Sequence, residues 1–239
     1  MMHTAPMKNI AVILAGGSGS RLGADRPKQF LSLKDGRTVL ETCVDAFHQN
    51  EHIDELAIVM LRDHIAEAQA LLPASRFPKI KYWIPGGAER WESSKNAVEA
   101  IYLVQQKIGF PEEDINVLLH DCARPFISQD LITRVCQALE KHEAVTVALP
   151  VTDTIYVTET TRQGEMVVDV APRKMLRKAQ TPQAFRLLLI ADAYEELQDE
   201  QKAKLTDDAS VVLAAYDENI FILPGEESNK KITYKEDIN

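Results

Sequence analysis

Ala11 to Phe30 reads AVILAGGSGSRLGADRPKQF. An apolar run from Ile10 to Leu14 ends at Ala15-Gly16-Gly17, and Gly19, Arg21 and Pro27-Lys28 follow. The pattern predicts a buried strand that empties into a phosphate-binding loop. Glycines let backbone N–H groups turn toward an anion with no Cβ in the way. Arg21 adds charge as a planar fork and Lys28 as a point charge. Two better-known phosphate loops do not fit. The dinucleotide fingerprint needs a third glycine or alanine where Leu22 stands, and the P-loop needs a Gly-Lys-Ser/Thr triplet that is missing here. A plain Gly/Ser surface turn explains the glycines, but not their place after a fully apolar strand, where open α/β sheets put their ligands.

Outward from this stretch, element types alternate. Residues 38–50 place Val39, Cys43, Ala46 and Phe47 on one helical face. Residues 55–61 read as a buried strand, 63–72 as a helix stopped before Pro73, and 80–84 as a strand ending at Pro85-Gly86-Gly87. Residues 92–107 are helical, 115–119 form a buried strand, and Ser128 caps a helix carrying Leu131, Ile132, Val135 and Leu139. Residues 144–150 and 220–224 return to strand. Strands alternating with helices predict an α/β, Rossmann-like, mainly parallel sheet with helices on both faces. Residues 151–172 break the rhythm, with β-like runs at 154–158 and 166–170 joined by a polar turn, and predict a protruding hairpin arm. An isolated hairpin is marginal in water, so the arm needs a second surface.

In such sheets ligands gather outside the carboxyl ends of the strands. Three ends carry glycine pairs or charge: Gly16-Gly17, the run Gly86-Gly87-Ala88-Glu89-Arg90, and His120-Asp121-Cys122-Ala123-Arg124-Pro125. Asp121 is placed to hold Mg²⁺, which takes hard oxygen ligands together with triphosphates, and Arg124 to grip a second phosphate. An Asp–Arg surface pair, or an Asp capping the turn before Pro125, is the plainer alternative. Ser93 or Ser94 is also a ready N-cap for the helix that follows.

Composition narrows the class. The chain has 239 residues and a formal net charge of −9, against a nucleic-acid binder with its basic face. Cys43, Cys122 and Cys136 form neither a metal spacing nor an even disulfide set, so a reducing cytoplasm is expected. No signal-peptide core, internal repeat or membrane-length apolar run is evident.

Leu14-Ala15-Gly16-Gly17-x-Gly19-x-Arg21 followed by Pro27-Lys28-Gln29-Phe30 resembles the signature of sugar- and polyol-phosphate nucleotidyltransferases. The Lys-Gln pair so soon after the arginine resembles the cytidylyltransferase branch, in particular the 2-C-methyl-D-erythritol 4-phosphate cytidylyltransferases, with the ribitol-5-phosphate cytidylyltransferases as siblings. The resemblance runs in patches from about residue 9 to residue 237 and implies one nucleotidyltransferase domain over residues 1–239. His-Asp-Cys-Ala-Arg-Pro resembles the family's His-Asp-Ala-Ala-Arg-Pro, with Cys122 in place of the first alanine.

What the resemblance implies about the site can be carried over residue by residue. Arg21, Lys28 and Lys231 are the catalytic cations, with Lys230 a competitor for the last place. Ala15, Gly16, Gly17, Gly19, Gly87, Ala88, Ser93 and Asp121 bind CTP, and Asp121 also takes Mg²⁺. Arg124, Thr154, Arg173, Thr181 and Thr206 contact the polyol phosphate, Thr154 and Arg173 from the arm of a homodimer partner. A Thr/Asp N-cap before 209–215 explains Thr206 without function. The expected reaction needs no general base: an ionised acceptor phosphate attacks the α-phosphorus of CTP in line, and catalysis is positioning plus charge stabilisation. A dehydrogenase with a variant loop and a catalytically dead nucleotide-binding protein are the alternatives of other classes.

Overall fold

The computed structural model describes residues 7–17, 26–111, 114–202, 205–216 and 219–238. In chain order the regular elements are β1 (Lys8–Leu14), α1 (Val39–Gln49), β2 (Glu55–Met60), α2 (Ile65–Leu71), β3 (Ile80–Pro85), α3 (Arg90–Ile108), β4 (Ile115–Asp121), α4 (Gln129–Leu139) and β5 (Ala144–Pro150). They continue with β6 (Tyr156–Thr161), β7 (Gly164–Val170), β8 (Arg177–Arg186), α5 (Leu187–Glu196), α6 (Asp199–Lys202), α7 (Asp208–Ala215) and β9 (Phe221–Pro224).

Seven strands form one sheet in the order β3-β2-β1-β4-β8-β5-β9. Only β8 runs against its neighbours, pairing antiparallel with both β4 and β5. Both faces of the sheet are covered, and period-2 alternation sorts the side chains. Ala11, Ile13, Leu56, Ile58 and Leu118 join the core under α1, α2 and α4. Ile10, Val12, Ala57, Val59 and Val117 join the core under α3, α5 and α7. This is why β1, β2 and β4 read as continuous apolar runs rather than alternating ones.

The chain moves outward from β1 through β2 to β3, then returns to place β4 on the other side of β1. That reversal is the switch point at which open α/β sheets leave a crevice. Leu14 and Asp121, the last residues of β1 and β4, are register partners there. Cys122 N–H donates to Leu14 O at 3.0 Å and Ala15 N–H to Val59 O at 2.7 Å, so the ladder holds to the crevice floor.

Three departures from the sequence reading have physical causes. The strand expected at 115–119 runs on through His120 and Asp121, because both side chains are buried with partners. Thr181-Pro182 is by local rules a turn signal, yet residues 180–185 lie inside β8. Thr146 opposes Gln183 and Val147 opposes Gln180, so Thr181 and Pro182 form a bulge, where a strand tolerates proline. The hairpin is longer than expected, turning between Thr161 and Gly164. Every residue of β6 and β7 is exposed, Val157, Val167, Val168 and Val170 among them.

Candidate active site

A cleft of about 470 Å³ opens at the carboxyl ends of β1, β3 and β4. Ala15, Gly16 and Gly17 enter from β1, Lys28 from the short turn after it, Gly87, Ala88 and Ser93 from the junction of β3 and α3, Asp121 from β4, and Lys231 from the segment after β9. The sheet thus gathers residues spread over more than 200 positions of sequence. Gly19 and Arg21 lie outside the described residues.

The β3–α3 junction is built on backbone approach. A Cβ on Gly87 would stand 2.3 Å from Glu92 Cβ, and one on Gly86 2.9 Å from Ser93 Oγ. Ser93 is not the helix cap; it sits in the first turn of α3, accepts the Gly87 N–H at 3.1 Å and donates to Glu89 O at 3.2 Å. The Glu92 carboxylate accepts the Ala88 and Glu89 N–H groups at 2.7 and 3.0 Å, tightening the same turn.

Asp121 is the electrostatic centre. Arg90 Nε donates to its Oδ1 at 3.1 Å, and Lys231 Nζ to its Oδ2 at 2.7 Å. Burial raises the carboxyl pKa, but Arg90 first and Lys231 second outweigh it and hold the group well below the usual carboxylate range. Arg90 also lies 2.9 Å from the buried Asp208, so it bridges two acids. Burial lowers the Arg90 pKa, and Asp208 and then Asp121 more than restore it, so the group stays charged. Among the described residues, Gln29 Nε2 and Arg90 Nη1 are buried donors at the cleft wall with no hydrogen-bond partner. Lys28 Nζ donates to Ile232 O at 3.3 Å.

Which of the paired lysines faces the cleft is decided by the loop. Lys231 lines it, whereas Lys230 points to Asp237, 3.8 Å away at the surface. The loop is moored from several sides. Gln180 Nε2 donates to Glu226 O at 2.9 Å and Asn229 O at 3.2 Å, and Asn229 Nδ2 donates to Thr181 O at 2.8 Å. Ile232 N–H donates to Ala123 O at 2.7 Å.

The remaining expected residues lie off the lining of this cleft. Arg124 gives Nη1 to Asn229 O at 2.9 Å and Nη2 to Ala179 O at 3.3 Å, so its guanidinium ties the lysine loop to β8. Thr181 is buried behind the cleft, accepting the Asp121 N–H at 3.1 Å and meeting His120 Nδ1 at 3.1 Å. His120 Nε2 meets the Arg124 carbonyl at 3.0 Å, which must accept. Nε2 therefore carries a proton, and with the ring neutral at pH 7 Thr181 donates to Nδ1. Burial pushes the His120 pKa down to about 4. Thr206 is exposed beside the cap of α7, which is Asp207, accepting the Ser210 N–H at 2.9 Å. Thr154 and Arg173 lie at the exposed base of the hairpin, with Arg173 Nη1 on Thr152 O at 2.7 Å.

Arg90 and Asp208 are the site residues that the sequence reading passed over. A signal existed for Arg90. It is the first residue of α3, where the helix dipole disfavours a cation, so an arginine there needs a carboxylate partner.

Comparison with known proteins gives this geometry a lineage. The family model described as IspD, 2-C-methyl-D-erythritol 4-phosphate cytidylyltransferase, matches residues 9–239. The enzyme of that name from Thermobifida fusca is 40% identical over 95% of this chain and 89% of its own. The crystal structure of 4-diphosphocytidyl-2C-methyl-D-erythritol synthase from Anaerococcus prevotii superposes with a TM-score of 0.76 at 30% identity, covering 97% of this chain and 93% of that one. A bifunctional ribulose 5-phosphate reductase/CDP-ribitol pyrophosphorylase of Haemophilus influenzae is 34% identical over 97% of this chain and 47% of its own. With its glycine loop, strand-end acid and cleft-facing lysine in one fold, and a family match from residue 9 to the last residue, the chain belongs to the 2-C-methyl-D-erythritol 4-phosphate cytidylyltransferase family.

Proposed function

We propose that the chain joins CTP to 2-C-methyl-D-erythritol 4-phosphate, forming the CDP-polyol and releasing pyrophosphate. The observation that carries this reading is the register pairing of Leu14 with Asp121, which puts the glycine loop and a strand-end carboxylate on one crevice with Lys28 and Lys231. CTP lies along that crevice, its triphosphate over Gly16-Gly17 and its base against Gly87, Ala88 and Ser93. Backbone groups at a junction too tight for a side chain read the edge of a small base.

The acceptor phosphate is ionised at neutral pH and is itself the nucleophile. Its oxygen forms the new bond to the α-phosphorus while the bond to the pyrophosphate oxygen breaks. Negative charge gathers on the equatorial oxygens, so the chain's task is to hold the partners in line and to stabilise that charge. Lys28 and Lys231 do so, together with Arg21 from the loop. Lys231 is half-exposed and held by one carboxylate oxygen, so it can turn from Asp121 to phosphate.

Mg²⁺ is the ion this chemistry implies, and the donor set fits it. No group of three His, Cys, Asp or Glu side chains gathers for a metal among the described residues. Mg²⁺ takes one or two carboxylates together with substrate phosphates and water, not an all-protein cage. Asp121 would hold it, and the bound ion supplies Lewis-acid neutralisation of the triphosphate.

The hairpin completes the proposal. Two strands exposed along both faces, with valines outward, need a second surface, and a second copy of the chain supplies one. In that homodimer Thr154 and Arg173 reach the partner's acceptor site. Residues 1–239 then act as one catalytic domain with an arm at 151–172. No helix among the described residues is long and apolar enough to cross a membrane.

The test is pyrophosphate release with CTP and Mg²⁺, run in parallel with 2-C-methyl-D-erythritol 4-phosphate and ribitol 5-phosphate. A large kcat/KM preference for the first supports the reading. A preference for the second moves the acceptor assignment to ribitol phosphate, and release with neither sinks the transferase reading.

A further inference from the structure

Asp208 opens α7 and is fully buried. A buried carboxylate is costly unless it is paired and hydrogen-bonded. Its partners come from separate elements. Tyr194 on α5 donates its hydroxyl to Oδ1 at 3.0 Å, and Arg90 Nη2 on α3 stands 2.9 Å from Oδ2. Gln183 Oε1 on β8 accepts the Asp208 and Ala209 N–H groups at 2.9 and 3.0 Å. Helix capping does not explain the residue, because Asp207 is the cap.

Arg90 makes the arrangement unusual. Its Nε donates to Asp121 Oδ1 in directed geometry, while its contact with Asp208 is ionic, with neither Nη atom in hydrogen-bond geometry. A guanidinium beside a lone carboxylate settles into a two-pronged pair that covers both oxygens. Here the second acid draws the Nη edge away. Asp121 keeps one oxygen on Arg90 and leaves the other to Lys231.

We propose that Asp208 is a positioning residue for the transfer: it aims Arg90 so that Arg90 fixes the Asp121 carboxylate by one oxygen only and leaves Oδ2 free to exchange partners. The proposal rests on the transferase reading of the cleft. Removal of the Asp208 charge lets Arg90 close on both Asp121 oxygens, which displaces Lys231 and blocks the exchange. CTP still has its glycine loop and base junction, so binding persists while turnover falls.

The test is a double-mutant cycle in kcat with CTP and 2-C-methyl-D-erythritol 4-phosphate, alongside CTP affinity by calorimetry and thermal melting. The variants are Asp208→Asn, Arg90→Lys and both together. A lysine has no fork to aim, so Asp208 has nothing to position in that background. The expected result is a kcat loss of roughly 10-fold or more for Asp208→Asn in the native background, under about 2-fold in the Arg90→Lys background, with CTP affinity within about 3-fold throughout. Equal losses in both backgrounds mean that Asp208 serves packing alone and overturn the proposal, as does a native kcat in Asp208→Asn. If Asp208→Asn does not fold, Tyr194→Phe, which removes only the hydroxyl on Oδ1, takes its place in the cycle with the same pattern expected at roughly 3-fold. A native enzyme that releases no pyrophosphate overturns the transferase reading together with this proposal; turnover without the coupling overturns this proposal alone.

Discussion

Replacing Lys231 by alanine isolates the charge on which the proposed chemistry depends. The ammonium is 2.7 Å from Asp121 Oδ2 and its side chain is 43% exposed, so the surrounding dielectric lies between that of water and that of the interior. At about 4 Å from a phosphoryl oxygen, a unit charge contributes about 2 kcal/mol at an effective dielectric near 40, and about 4 kcal/mol near 20 once substrate has expelled water. If that interaction belongs mainly to the transition state, kcat falls by roughly 30-fold to roughly 900-fold. The control is the neighbouring Lys230, 54% exposed and paired loosely with Asp237; Lys230→Ala is expected within about 2-fold of native, as for a surface ion pair. A continuous pyrophosphate-release assay at saturating CTP and acceptor reads both variants, and calorimetry reads CTP affinity. Equal losses for the two lysines, or a Lys231→Ala effect confined to KM, would refute the reasoning.

Three further outcomes follow from other parts of the molecule. Gly87→Ala drives a Cβ into Glu92 Cβ and displaces the junction that faces the base; KM for CTP is expected to rise roughly 10-fold or more, and the melting temperature to fall, since the first turn of α3 must shift to make room. His120 has a folded pKa lowered from 6.5 to about 4, so its stabilising contribution is complete above about 6.5 and is lost as pH falls toward 4. Melting temperatures across that window should fall more steeply for the native chain than for His120→Gln, and parallel curves would remove the residue from the linkage. Val168→Asp on the exposed face of β7 should convert a dimer to monomer in sedimentation, with turnover lost and CTP affinity kept; a native chain that sediments as a monomer contradicts the arm's assignment.

The sequence revealed the sheet where burial alone writes it. Ile10 to Leu14 and Ile115 to Leu119 have water on neither face, so these short runs, apolar but for Asn116 and too short for a helix, mark strands. It hid β8, because Gln180, Thr181, Pro182 and Gln183 carry polar atoms and a proline that local rules assign to a turn. Their polarity is satisfied by groups far along the chain. Gln183 binds the start of α7, Gln180 the lysine loop, and Thr181 the end of β4. The same distance explains the site. Gly16, Gly17, Lys28 and Asp121 were legible around strand ends that the fold rule places together, and Lys231 through the family resemblance alone. The pairing of Arg90 with Asp208 was not legible, since it spans more than 100 positions. Arg124 is placed by the sequence to grip a second phosphate; in the structure its guanidinium faces two main-chain carbonyls of segments that local sequence cannot bring near.

The most direct test of the account is a crystal structure with CTP and Mg²⁺. The expected complex has the triphosphate along Gly16-Gly17 with Lys28 and Lys231 beside it, the base against Gly87 and Ser93, and Lys231 turned from Asp121 toward phosphate. CTP bound away from the β1–β4 crevice, or bound within it while Lys231 stays on Asp121 and no lysine meets phosphate, would contradict it.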